Sequence, residues 1–114
     1  MPGAPWDYAV GSDRWPGISK LIEEAGEVIQ VAGKLLATGG AVDHWDGTNL
    51  RDRLIDEMGD LLAAVEFVAH VNKVEADVMA RAADKLHIFR QWHRDEQERH
   101  WARLAARDLV EGQG

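Results

Sequence analysis

Two stretches decide how this chain folds: Lys20-Leu21-Ile22-Glu23-Glu24-Ala25-Gly26-Glu27-Val28-Ile29-Gln30 and Asp56-Glu57-Met58-Gly59-Asp60-Leu61-Leu62-Ala63-Ala64-Val65. Each is apolar at helical spacing and interrupted by acids. Around the first, Leu21, Ala25, Val28, Ala32 and Leu35 recur at steps of three and four, with Ile22, Ile29 and Leu36 beside them; that period predicts an amphipathic helix from Gly17. Gly39-Gly40 is the expected stop. Around the second, Leu50, Leu54, Met58, Leu61, Val65 and Val68 form the stripe of a helix running from about Leu50 to His70. Thr48 or Asn49 is placed to cap its start, and Asn72 to end it.

Outward from these helices the pattern is less regular. Residues 1–16 hold all three prolines and read as an irregular leader carrying Trp6, Tyr8 and Trp15. A loop with Asp43, His44, Trp45, Asp46 and Gly47 joins the two helices. A third helix is expected from near Val74, with Val78, Ala82, Leu86 and Phe89 on its stripe. Beyond Trp92 the chain becomes densely charged, yet Trp101, Leu104, Ala105 and Leu109 keep helical spacing, so a fourth helix and an extension of the third both fit. No alternating β-branched run occurs. The expected class is all-α, a small four-helix-type bundle with short loops.

Composition narrows the function. With 114 residues the chain is most simply one domain. A net charge of -7 argues against sequence-independent binding to DNA or RNA, where affinity comes from Lys and Arg neutralising phosphates. It leaves room for a small phosphate ligand if a cation supplies the positive charge. The absence of cysteine excludes disulfides, thiolate nucleophiles and zinc-thiolate sites, and fits a reducing cytosol. No basic segment followed by an apolar run opens the chain, so no signal peptide is expected. No apolar stretch is long enough for a membrane span.

The acids carry the chemistry. Glu24 with Glu27, and Glu57 with Asp60, stand three residues apart, on one helix face one turn apart. At about 100° per residue each pair falls at the border of the surface its helix must bury. If the helices pack, four carboxylates converge. They cannot all remain ionised unaided, because like charges and burial raise their pKa values; either they protonate or a cation sits among them. Oxygen-only ligands suit a hard ion, Mg²⁺ or Mn²⁺. Gly26 and Gly59, each costly inside a helix, suggest close helix approach beside the acids. The bland alternative is a solvated acidic face.

Glu23-Glu24-x-x-Glu27 followed by Glu57-x-x-Asp60, with the flanking residues quoted above and then Lys85-Leu86 and Arg90, resembles the signature of the MazG-like all-α nucleoside triphosphate pyrophosphohydrolases of the short single-domain type. The likeness covers residues 17–92 as a catalytic helical domain; the leader 1–16 and a charged C-terminal segment 93–114 lie outside it. The two motifs are rather far apart, and the loop with Trp45 accounts for the extra length.

The resemblance implies a metal site of Glu24, Glu27, Glu57 and Asp60. It also implies hydrolysis of a (deoxy)nucleoside triphosphate between the α- and β-phosphates, and assembly as a homo-oligomer, a dimer or tetramer, in the cytoplasm. Glu23 is the candidate to orient water or act as general base. Lys34, Lys85 and Arg90 are candidates to stabilise charge on the pyrophosphate, and Trp15 and Trp45 to stack on the base.

Two other functions fit less of the sequence. A phosphoribosyl-ATP pyrophosphohydrolase resembles the same fold but matches less well after Asp60. A non-catalytic acidic helical module is motivated by the charged tail, in which Arg99, Arg103 and Arg107 form a row. A di-iron carboxylate bundle would need Glu-x-x-His, and no histidine has a glutamate three residues before it.

Overall fold

The computed structural model describes residues 14–113, apart from the side chain of Gln113. The leader expected over 1–16 therefore lies almost wholly outside the described residues. Three helices are present among them: α1 (Ile18–Ala37), α2 (Leu50–Val71) and α3 (Glu75–Gln113). The chain divides into two units, one ending at Glu75 and the other beginning at Ala76.

In the first unit α1 and α2 form an antiparallel hairpin. Their packing follows from the two stripes: Leu21, Ala25, Val28, Ala32 and Leu35 of α1 are half-buried, as are Leu54, Leu61, Val65 and Val68 of α2. Among the described residues Val31 and Leu50 are fully buried and Ala64 and Ala69 nearly so. α1 stops where Gly39 and Gly40 take positive φ (66° and 95°), which lets the Gly40 amide close back on Leu35 O at 2.9 Å. Of the two possible caps for α2, Asn49 is the one used. Its side chain accepts from the Asp52 amide at 3.0 Å, satisfying a donor that the first turn leaves free. Asn72 caps the other end.

The connection between the helices is tightly tied. Asp43 and Asn49 form an isolated antiparallel bridge, and the Leu50 amide donates to Val42 O at 2.7 Å. Asp46 Oδ1 accepts from the Thr48 hydroxyl at 2.6 Å and the Thr48 amide at 3.0 Å, with His44 Nδ1 2.8 Å away. These donors, the Thr48 hydroxyl first, hold the Asp46 carboxyl well below the usual carboxylate range. The tip presents Trp45, 90% exposed, its ring centroid 5.4 Å from that of His44.

The second unit is the helix α3. The alternative left open beyond Trp92 resolves as an extension: the helix runs unbroken for 39 residues, so the helices number three rather than four among the described residues. No Gly or Pro near Trp92 supplies a stop signal. Arg99, Arg103 and Arg107 are exposed, and Arg107 Nε lies 3.4 Å from Glu111 Oε1. No helix among the described residues is long and apolar enough to cross a membrane.

Candidate metal centre

The antiparallel hairpin sets Glu24 beside Asp60 and Glu27 beside Glu57. One oxygen from each of these four carboxylates lies within 4.8 Å of the others. Glu24, Glu27 and Glu57 are half-buried and Asp60 is exposed, which is where the border of each stripe should leave them. The four metal ligands expected from the sequence are thus brought together within one unit of one chain.

Their electrostatics carry the strain of that proximity. Burial raises the Glu24 carboxyl, and the negative charges of Glu27, Asp60 and Glu23 raise it further; Lys20 opposes them. Glu57 is pushed up to about 7, first by a hydrogen bond shared with the Glu27 carboxyl, which favours the protonated form, then by burial and by the surrounding acids. Oε2 of Glu24 and Oε2 of Glu57 are buried and accept no hydrogen bond. A buried acceptor without a donor is costly, and two in one acid cluster are what a bound cation relieves. The donor set is all oxygen and fits a hard divalent ion.

Beside the acids lies an open groove of about 260 Å³, lined by Lys20, Glu24, Asp60, Ala63, Ala64 and Phe67. Lys20 stands one turn before Glu24 on the same face; its Nζ lies 3.0 Å from Glu23 Oε2, and that bond chiefly raises its pKa. Neither Lys20 nor Phe67 was singled out from the sequence as a site residue. The available signal was spacing: Lys20 is four residues from Glu24, and Phe67 is seven residues from Asp60, two turns along the same face.

The other expected site residues lie elsewhere. Glu23 is exposed on α1. Lys34 is ten residues beyond Glu24, about 15 Å along the helix axis, and does not line the groove. Lys85 and Arg90 stand on α3, in the second unit, the first half-buried and the second exposed. Trp15, 57% exposed, and Trp45 are not among the groove's lining residues. One expectation is corrected: a Cβ built at Gly26 or Gly59 meets nothing within 4 Å. Close packing of α1 against α2 is therefore not the reason for glycine there, since a side chain at either position has open space.

The family model for the MazG nucleotide pyrophosphohydrolase domain matches residues 17–94. No curated protein and no solved structure matches the chain.

Proposed function

The chain belongs to the MazG nucleotide pyrophosphohydrolase domain family, and on that premise we propose that it hydrolyses a nucleoside or deoxynucleoside triphosphate between the α- and β-phosphates, releasing a monophosphate and pyrophosphate. The observation that carries this reading is the convergence of Glu24, Glu27, Glu57 and Asp60, with a buried oxygen on each of Glu24 and Glu57 left without a donor. These four side chains would hold Mg²⁺, with Mn²⁺ as the substitute. A divalent cation there supplies charge neutralisation at the phosphate oxygens and lowers the pKa of water.

The protein's own groups do the rest. Glu23 Oε2 faces Lys20, which leaves Oε1 to accept the proton of the attacking water. The Lys20 ammonium, at the edge of the groove, sits where phosphate charge would enter. Lys34, Lys85 and Arg90 are the candidates for charge on the departing pyrophosphate, and Trp15 and Trp45 for contact with the base. A nucleotide substrate and a cysteine-free chain both suit the cytoplasm.

The reading includes self-assembly. Among the described residues, four buried apolar side chains, none larger than leucine, make a small core. Ile22, Ile29 and Leu36, spaced by seven along α1, remain exposed; that repeat is the seam of a helix that packs on further helices. A dimer or tetramer covers it.

The test is a panel of nucleotides with Mg²⁺, assayed for pyrophosphate. Wild type releases pyrophosphate from at least one of them, and Glu57→Gln reduces the rate by two orders of magnitude or more. Unchanged release by Glu57→Gln at saturating Mg²⁺ ends this mechanism.

A further inference from the structure

Phe67 is a large apolar side chain left 52% exposed, yet one edge of its ring is held. A Cβ at Gly17 would lie 2.7 Å from Phe67 Cε2 and 3.0 Å from Cδ2, so the ring edge rests on the backbone at the entry to α1. Gly17 has φ +82°, a conformation that side chains rarely adopt; glycine is required there twice over. Asn72 then locks this entry to the end of α2, its Nδ2 donating to Pro16 O at 3.0 Å and to Val68 O at 2.7 Å. One edge of the ring is therefore seated before any ligand arrives, which reduces the freedom it has to lose on binding.

Phe67 also lines the same groove as Glu24 and Asp60, over a floor of Ala63 and Ala64 whose short side chains leave the space open. From Asp60 to Phe67 is seven residues, about 10 Å along the helix, the order of the separation between a nucleotide's α-phosphate and the far edge of its base. An apolar ring at that distance from the acids cannot serve the phosphates.

We propose that Phe67, positioned by Gly17 and Asn72, is the wall on which the substrate's nucleobase stacks, in the groove lined by Glu24 and Asp60 of the acid cluster. This rests on the hydrolase reading and makes the base, rather than the triphosphate alone, a determinant of binding. Such stacking tolerates any base, so Phe67 separates nucleotides from base-less polyphosphates rather than one base from another.

The experiment compares nucleoside triphosphates with methyl triphosphate, which lacks sugar and base, as substrates with Mg²⁺. Wild type prefers the nucleotides. Phe67→Ala loses roughly tenfold or more of that preference, through KM for the nucleotide, with the rate on methyl triphosphate unchanged; Phe67→Tyr keeps it. Phe67→Leu, which keeps an apolar side chain but removes the aromatic face, gives the same selective loss if Phe67→Ala fails to fold.

Binding of α,β-methylene nucleotide analogues is measured by calorimetry in parallel, with oligomeric state by light scattering. Base-dependent binding through Phe67 without hydrolysis upholds the wall and overturns the hydrolase reading. Hydrolysis with nucleotide preference intact in Phe67→Ala and Phe67→Leu overturns the wall and leaves the hydrolase. A Phe67→Ala variant that changes only the oligomeric state also overturns it, and assigns the ring to assembly.

Discussion

If the carboxylate cluster binds a divalent cation as proposed, binding should release protons from the acids whose pKa values are raised, Glu57 foremost with Glu24 beside it. The Glu57 carboxyl, pushed up to about 7 by the hydrogen bond to Glu27, by burial and by the neighbouring acids, is mainly protonated below that pH and mainly ionised above it. A cation needs the ionised form, so binding expels that proton. Calorimetric titration of Mn²⁺ into the protein, repeated in buffers of different ionisation enthalpy, counts the protons released. The expected release is larger at pH 6 than at pH 8, because the raised Glu57 carboxyl loses its proton as the pH passes through about 7. Over the same range the apparent affinity rises and then levels, since raising the pH through the folded-state pKa removes the competing proton. Glu57→Gln binds more weakly and loses this pH-dependent release. A binding enthalpy that is the same in every buffer at pH 6, or an affinity flat from pH 6 to 8, would refute the reasoning.

The same shift has a consequence for stability without metal. The folded-state value of Glu57 lies above its ordinary 4.5, so its protonation favours the fold; that contribution is full below pH 4.5 and is lost as the pH rises through 7. In chelator, Tm should fall across this window more for wild type than for Glu57→Gln, and Mg²⁺ should restore it. Leu50→Ala removes a fully buried side chain at the start of α2 and should cost about 2–5 kcal/mol in urea unfolding. Asn49→Ala deletes the α2 cap and should cost about 1 kcal/mol, with Asn49→Asp close to neutral. Gly33→Ala, inside α1 where an added Cβ meets nothing within 4 Å, should raise stability by about 0.5–1 kcal/mol.

Much of the hairpin was legible because its signals are local. The stripes of α1 and α2, the Gly39-Gly40 stop and the paired acids are all periodic features within one helix, and the border position of the acids follows from counting 100° per residue. The extent of α3 was not legible, since charged residues at helical spacing fit both a separate helix and a continuation, and no breaker decides between them. Gly26 and Gly59 misled for a related reason: a glycine in a helix signals close approach without saying to what. The groove depends on tertiary geometry. That Phe67 sits over Gly17 while sharing a cavity with Glu24 follows from antiparallel packing of α1 on α2 and from the Asn72 clamp, which ties residues 56 positions apart. Trp15 and Trp45 stood out as aromatics in irregular segments, whereas Phe67 was hidden within a helix as one more apolar residue.

Soaking crystals with Mn²⁺ and recording its anomalous scattering tests the central claim most directly. The account predicts a peak within coordinating distance of oxygens from Glu24, Glu27, Glu57 and Asp60 together, weakened or absent in Glu57→Gln. A protein that takes up manganese elsewhere, or not at all, with the two acid pairs turned apart into solvent, would contradict it.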